Sequence, residues 1–339
     1  MGDYKAYATI CIEGLQSWYN WDTGLWESTG WWNSANALHA IIDYASLTKN
    51  DNYHAAIANT FHKHAHGKFL NHYYDDEGWW ALTWIAAHDL THDARYLDIA
   101  EIIFRDMCTG WDDICDGGLW WNKERKYKNA ITNELFLSIA SRLYRRTNND
   151  FFLAWAYKEW RWFFNSGLMN SEQLINDGLE DCKNNGQPTW TYNQGVILGA
   201  LAEMFYFNRN LDSYYGGDIQ YIITAKNIAD AAIIMLIDEY STLADAGEEH
   251  ETGGDGPQFK GIFIRNLATL YRTIIKETHM TGEPYRQFII KNADSIWDNN
   301  RTDENKFGLQ WSGPVDKTDA ARQSSALDAF NAAISLDIA

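Results

Sequence analysis

The stretch Tyr73–Thr91 has the sequence YYDDEGWWALTWIAAHDLT, in which a cluster of aromatic and acidic residues opens a run with helical periodicity. Other stretches along the chain share this periodicity, and no segment predicts a convincing strand. Those at even positions in the series open with aromatic and polar clusters, whereas those at odd positions are ordinary amphipathic helices. The predicted helices are 4–18, 32–48, 51–66, 77–90, 94–109, 128–147, 150–166, 190–207, 218–239, 258–277, 283–299 and 320–337.

This alternation of two kinds of helix predicts an all-α fold, an (α/α)6 barrel of six helical hairpins. The even-numbered helices would form the inner ring, and their N-terminal ends would meet at one mouth. The 4 prolines fall in connections or at helix starts, where a missing N–H group does no harm. Because no linker or change of composition divides the chain, we expect a single catalytic domain over residues 1–339.

The composition excludes several classes of function. The chain has 46 acidic and 28 basic residues and a formal net charge of −18, so nucleic acid is not an expected partner. No uninterrupted apolar run approaches the length of a membrane-spanning segment. The 17 Trp residues exceed what core filling usually requires, and such rings often line binding clefts.

The 4 cysteines are Cys11, Cys108, Cys115 and Cys182, and they lack both CxxC spacing and a histidine partner at zinc spacing. They allow three disulfide pairings or four buried thiols. We favour a bridge between Cys108 and Cys115, which flank a short acidic loop.

Metal sites receive little support from the sequence. His62 and His66 could share one helix face, but a zinc site needs a third ligand, and none is obvious nearby. The acidic segments 112–116 and 248–251 lack the spacing of a calcium-binding loop. We therefore expect no metal and no cofactor.

Asp75 and Asp76 are adjacent carboxylates at the start of a predicted helix, and two Trp residues follow within one turn. The tips of adjacent carboxylates can lie about 5 Å apart, which is near the separation that retaining glycosidases use. Like charges beside rings that limit water would also push their two pKa values apart. An Asp at a helix start is equally an ordinary N-cap, so the pair alone also allows a structural interpretation.

Asp112 and Asp113 form a second acidic pair and serve as an internal comparison. They lack the Gly-Trp-Trp sequence that follows Asp76 by one residue. They also follow an odd-numbered helix, whose end we expect to lie away from the mouth. The sequence therefore predicts a solvated loop, in which Asp112→Asn changes little.

A second aromatic cluster lies in residues 116–122, where two glycines allow close backbone approach beside Trp120 and Trp121. Asn129 and Asn133 follow at i, i+4 and share one helix face. Amide groups beside rings suit a ligand rich in hydroxyl groups. A capped helix that packs its Trp residues into the core is equally compatible with this pattern.

Several segments resemble family 76 of the glycoside hydrolases, which contains the α-1,6-mannanases and has the fungal cell-wall transglycosidases as relatives. The similarity covers residues 30–275 in the expected order, and the long NAITNEL segment makes it specific. The segments are YYDDEGWWALTWIAAHDLT, GGLWWN, YKNAITNELFLSIASRLYRRT, TYNQGVILGAL and FKGIFIRNLATL.

This resemblance implies an (α/α)6 barrel and endo-acting cleavage of α-1,6-linked mannan with retention of configuration. Asp75 matches the family's nucleophile and Asp76 its acid/base residue. No metal is required by this chemistry. Other side chains of the predicted mouth are candidate sugar contacts: Trp31, Trp79, Trp80, Trp120, Trp121, Asn129, Asn133, Tyr192, Gln194 and Lys260.

Two alternatives stay open beside the hydrolase. A cell-wall transglycosidase would transfer mannan, or a mannose-bearing glycan anchor, with the same residues. A non-catalytic mannan-binding protein would be expected to have lost Asp75 or Asp76, and both are present. The first residues have no signal-peptide pattern. We nevertheless expect a secreted or cell-surface monomer whose signal segment has been removed, with α-1,6-mannan or manno-oligosaccharides as its partner.

Overall fold

The computed structural model describes residues 2–207, 217–248 and 254–337. Within these ranges, every helix predicted from the sequence is present, with ends that differ by a few residues. The helices are α1 (Tyr4–Gln16), α2 (Trp31–Thr48), α3 (His54–His64), α4 (Tyr74–Thr91), α5 (Ala94–Met107), α6 (Ala130–Thr147), α7 (Asp150–Asn165), α8 (Thr191–Met204), α9 (Ile219–Met235), α10 (Phe259–Glu277), α11 (Glu283–Asn299) and α12 (Ala320–Ser335).

The even-numbered helices form a closed inner ring. Each packs against the next, from α2 through α4, α6, α8 and α10 to α12, which packs back against α2. Every residue of α12 is buried, whereas α5, on the outside, buries one stripe at helical spacing, from Tyr96 to Met107. The predicted all-α, (α/α)6 architecture is therefore confirmed. None of the helices in the described ranges is long and apolar enough to span a membrane.

The described part of the chain contains five short strands, which lie in connections that precede inner helices, although the sequence pattern predicted none. The first two, β1 (Tyr19–Asn20) and β2 (Leu25–Trp26), form an antiparallel hairpin before α2. The other three form an antiparallel sheet in the order β3 (Lys128–Asn129), β4 (Gly178–Glu180) and β5 (Lys183–Asn184). Segments of two or three residues are too short to show an alternating pattern.

The expected disulfide between Cys108 and Cys115 is wrong. Cys115 is bonded to Cys182, and Cys108 is a free, half-buried thiol, as Cys11 is a free, buried one. Cys115 adopts a left-handed conformation, with φ of 58°. In the structure its sulfur meets Cys182 of the β4–β5 turn, so the bridge joins the loop after α5 to the β3–β4–β5 sheet.

We expect this bridge to contribute measurably to stability because it closes a loop with a sequence separation of 67 residues. The double substitution of Cys115 and Cys182 by Ser should lower the free energy of unfolding by about 2–4 kcal/mol. Chemical denaturation followed by circular dichroism measures this change. Cys108→Ser is the matched control and should leave the unfolding curve nearly unchanged. Equal stability of the double variant and the unmodified protein would contradict the prediction.

Candidate active site

Asp75 and Asp76 lie in the first turn of α4, at the mouth of the inner ring. The first turn contains no side-chain cap and instead carries three consecutive acidic residues, which the positive end of the helix dipole favours. Asp75 Oδ2 accepts a hydrogen bond of 2.8 Å from Trp121 Nε1, and its Oδ1 accepts the Asp76 N–H at 3.0 Å. Asp76 Oδ2 accepts a hydrogen bond of 2.6 Å from the Asn71 amide. Each carboxylate is therefore oriented by donors of its own.

A cavity of about 210 Å³ opens onto Asp75. Aromatic rings form much of its wall: Tyr192 stacks on Phe259 with 3.9 Å between ring centroids, and Trp32 stacks on Trp79 at 5.6 Å. Carboxylates, the Asn129 amide and the Tyr127 hydroxyl supply polar groups, and none of the described residues that line the cavity is basic. The lining residues are Trp32, Asp75, Trp79, Trp121, Tyr127, Asn129, Asp177, Tyr192, Asp255 and Phe259.

The surroundings of Asp75 and Asp76 favour the protonated forms of both carboxyl groups. Burial, and secondarily the charge of Asp76, raise the pKa of Asp75 to about 8, while the hydrogen bond from Trp121 opposes this rise. Burial also raises the pKa of Asp76 to about 6; the Asn71 amide lowers it, and the charge of Asp255 raises it. Between about pH 6 and 8 the pair therefore shares one proton.

Asp177 and Asp255 belong to the cleft, although the sequence argument did not identify them. Asp177 precedes β4 and accepts a hydrogen bond of 2.5 Å from the Tyr127 hydroxyl. Burial raises its pKa, and hydrogen bonds from Tyr127 and Trp190 oppose that rise. Asp255 is exposed at the rim and accepts the Trp32 indole N–H at 2.9 Å. Both lie in loops far from Asp75 in sequence, and neither carried a pattern that marked it.

Four of the predicted sugar contacts do line the cavity, namely Trp79, Trp121, Asn129 and Tyr192. Trp79, Asn129 and Tyr192 lie at the starts of three inner helices, and Trp121 lies in the loop after α5. Asn129 is positioned by β3, whose pairing with β4 places it opposite Gly178 and next to the Asp177 backbone. The expectation that inner-helix starts converge on one mouth is thus met for these residues.

The other predicted tryptophans face away from the cavity. Trp80 is fully buried and packs with Trp31 and Trp84 in the core. Trp120 donates its indole N–H to Asp112 and lies under the Lys128 ammonium. In each of these three Trp-Trp pairs one ring lines the cleft and its neighbour packs against other parts of the protein. At residues 31 and 32 the ring in the cleft is Trp32, which the sequence argument passed over.

The predicted contacts Asn133, Gln194 and Lys260 are fully buried and bonded within the protein. Asn133 bonds both the N–H and the carbonyl of Leu119, and Gln194 does the same with Ile175. These amides anchor the loops beside the cleft. Lys260 pairs with Glu248 and donates to the Leu309 carbonyl at 2.7 Å. All three lie outside the cavity lining. Their polar groups bond to neighbouring loops and are not available to a ligand.

The expectation of a solvated Asp112 away from the mouth is wrong. An outer helix returns the chain to the mouth, so the loop after α5 lies beside the cleft. Asp112 Oδ1 accepts a hydrogen bond of 2.9 Å from the buried Lys128 ammonium and one of 3.1 Å from the Ile114 N–H. Its Oδ2 accepts the Trp120 indole N–H at 2.6 Å. Asp113, by contrast, is exposed.

Within residues 2–207, 217–248 and 254–337, no group of three or more His, Cys, Asp or Glu side chains is arranged to hold a metal ion. His62 and His66 are exposed. Glu248 is engaged with Lys260, and residues 249–251 of the second acidic segment lie outside the described residues.

The model of glycosyl hydrolase family 76 matches residues 3–337. The chain belongs to glycosyl hydrolase family 76. Two similar proteins are the yeast enzymes named mannan endo-1,6-alpha-mannosidase DCW1. The Candida albicans protein is 27% identical over 70% of this chain and 57% of its own length. The Saccharomyces cerevisiae protein is 26% identical over 83% of this chain and 66% of its own length. The chain thus spans less than two thirds of either relative.

Solved structures share the fold along nearly the whole chain. The Lin0763 protein of Listeria innocua superposes with a TM-score of 0.86 at 24% identity, covering 99% of this chain and 98% of that one. The GH76A alpha-1,6-mannanase of Salegentibacter sp. HEL1_6 gives 0.86 at 23% identity, covering 98% and 99%. An inactive variant of that mannanase, in which two consecutive aspartates are replaced by alanine, was solved with α-1,6-mannotetraose.

The two neighbouring aspartates of the loop after α5 provide a matched test of the Asp112 network. Asp112→Ala removes the ion-pair partner of the buried Lys128 ammonium and should lower the free energy of unfolding by about 3 kcal/mol. Asp113→Ala, at an exposed position, should change it by no more than about 0.5 kcal/mol. Denaturant titration measures both values. Similar losses for the two variants would show that Asp112 has no special structural role.

Proposed function

We propose that this chain is a single catalytic domain, a retaining, endo-acting glycoside hydrolase that cleaves α-1,6-linked mannan. The observation that carries the proposal is the pair Asp75 and Asp76, which opens α4 at an aromatic cleft in a member of a glycosyl hydrolase family. The named activity of the yeast relatives supports the substrate. The Salegentibacter variant supports the site, because it lost activity with two consecutive aspartates.

The lining of the cleft suits a neutral sugar. Stacked rings such as Tyr192 and Phe259 offer apolar faces to the C–H groups of a pyranose, and Asn129, Tyr127 and Asp177 offer hydrogen-bonding groups for its hydroxyls. Because the charged side chains among the described lining residues are all carboxylates, the cleft favours an uncharged ligand over an anionic one.

In the proposed reaction Asp75 attacks the anomeric carbon, and Asp76 donates its proton to the departing glycosidic oxygen. Asp76, now ionised, then takes a proton from water, which attacks the mannosyl ester and releases Asp75. Substrate binding must first place the shared proton on Asp76. Two N–H groups, from Trp121 and from the Asp76 backbone, hydrogen-bond to Asp75 and stabilise its ionised form for attack.

Transfer to a second sugar would use the same two carboxylates and differs only in what attacks the mannosyl ester. The disulfide between Cys115 and Cys182 supports a location outside the reducing cytosol, at the cell surface or beyond it.

The carboxylate roles are tested by substitution. Asp75→Asn should abolish turnover of unbranched α-1,6-mannan, and Asp76→Asn should reduce it by about 10²–10⁴-fold because the departing oxygen leaves without a proton. Asp113→Asn is the control and should retain full activity. Products are followed by mass and by anomeric NMR, where the α-anomer should appear first. A first product with the β-configuration would exclude retention, and products longer than the substrate would indicate transfer.

The pH dependence follows from the acidic pair. Below about pH 6 both carboxyls are protonated and no nucleophile is available, whereas above about pH 8 both are ionised and no acid remains. The profile of kcat/KM should therefore be a bell with its maximum between these values. Initial rates on α-1,6-mannotetraose from pH 4 to 10 measure it, and a rate that stays flat across this range would be inconsistent with a carboxylate pair.

A further inference from the structure

Asn71 connects the acid/base candidate to a buried ion pair behind the cleft. Its amide Nδ2 donates to Asp76 Oδ2 at 2.6 Å. Its backbone N–H donates to Glu77 Oε1 at 3.0 Å. The Glu77 side chain is fully buried. The Asn71 backbone and side chain are therefore held by two neighbouring residues of the same helix turn.

The orientation of the Asn71 amide is fixed by a third contact. The backbone N–H of Tyr73 donates to Asn71 Oδ1 at 2.7 Å. Because an N–H group needs an acceptor, the oxygen of the amide must face Tyr73, and the NH₂ group must face Asp76. Asn71 can consequently only donate to Asp76.

Glu77 is clamped from the opposite side. Lys123 Nζ donates to Glu77 Oε1 at 2.9 Å and lies at the same distance from Asp106 Oδ2. The Lys123 backbone N–H is itself bonded to the His72 carbonyl at 3.1 Å, next to Asn71 in the chain. This closed set of contacts leaves the segment before α4 little freedom to move away from Asp76.

We infer that Asn71 is a positioning residue that reserves Oδ2 of Asp76, so that the proton delivered to the departing sugar is carried on Oδ1. This inference rests on the proposed function, in which Asp76 is the acid/base residue. Oδ2 accepts the Asn71 N–H, and a proton on Oδ2 would weaken that bond because the O–H oxygen of a carboxylic acid is a poorer acceptor than its carbonyl oxygen. Glu77 and Lys123 act through Asn71, since Glu77 accepts the Asn71 backbone N–H and Lys123 in turn donates to Glu77.

The same hydrogen bond assists the reaction as it proceeds. When Asp76 gives up its proton, negative charge develops on its carboxyl group, and the Asn71 N–H then bonds to an ionised acceptor. Such charge-assisted bonds are stronger than neutral ones, so the bond stabilises the transition state more than the ground state. This stabilisation of the transition state is largest for a leaving group that departs only when protonated, such as a sugar hydroxyl.

Charged groups around the pair set the direction of the expected pH effect. Burial and the charge of Asp255 favour the protonated form of Asp76, whereas the Asn71 amide favours its ionised form. The charge of Asp76 in turn raises the pKa of Asp75. Lys123 and Asp106 face Glu77. Removal of the Asn71 donor destabilises every state in which Asp76 is ionised. The bell of the pH profile should therefore move to higher pH.

The experiment compares Asn71→Ala with the unmodified chain on two substrates. One is α-1,6-mannotetraose, whose leaving sugar requires protonation. The other is an aryl α-1,6-mannobioside with a strongly acidic phenol, which departs without it. Asn71→Ala should lose about tenfold or more in kcat on the first substrate and at most about threefold on the second, with the bell shifted upward in pH. Glu77→Gln should also lower kcat on α-1,6-mannotetraose and shift the pH profile upward, but by smaller amounts.

Asn59→Ala is the matched control, because it also removes an amide that donates to neighbouring groups, here the Tyr19 hydroxyl and the Trp21 carbonyl. It should leave both rates and the bell unchanged. Equal losses of Asn71→Ala on both substrates, or an unshifted bell, would overturn the inference. If Asn71→Ala does not fold, Glu77→Gln is compared on the same two substrates, and equal losses on both would overturn the inference. Failure of the unmodified chain to cleave either substrate would instead overturn the proposed function.

Discussion

Three consecutive carboxylates begin α4, and each is held by a donor from outside that helix. Trp121 bonds Asp75, Asn71 bonds Asp76, and Lys123 bonds Glu77. Without these donors, three like charges within one half-buried turn would repel each other and lose their hydration. The helix dipole helps because the positive end of α4 faces all three. The segments on either side of α4 must therefore be placed accurately, and much of the surrounding structure serves that placement.

The loop after α5 meets this requirement through several independent restraints. Lys128, almost fully buried, donates to Asp112 and to the carbonyls of Ile114 and Gly117. The disulfide ties the same loop to the β3–β4–β5 sheet. At Gly118 a Cβ atom would lie 2.3 Å from the Trp162 ring, so only glycine allows this approach. The loop thus carries Trp121 to Asp75 on a rigid support, which is what a preorganised site needs.

The sequence predicted the helices, their division into inner and outer rings and the position of the acidic pair, because these depend on local periodicity and on which helix starts are polar. It could not predict which of two adjacent rings enters the cleft, since consecutive residues lie about 100° apart around a helix and both rings of each pair are apolar, so the pattern does not show which one faces the cleft. The sequence did not predict Asp177 as a cleft residue, because its position depends on the pairing of two very short strands. Asp112 was misjudged through topology: an outer helix brings the chain back to the mouth, so the loop that follows it belongs to the site.

The central claim is that Asp75 forms a covalent bond to the sugar while Asp76 transfers the proton. Peptide mapping by mass spectrometry after reaction with 2-deoxy-2-fluoro-α-mannobiosyl fluoride, which slows the release of such an ester, tests it most directly. The account predicts one stoichiometric mannobiosyl label on Asp75 of the native chain and none on the Asp75→Asn variant. A label on Asp76, or turnover of the fluoride with no labelled peptide at any time point, would contradict it.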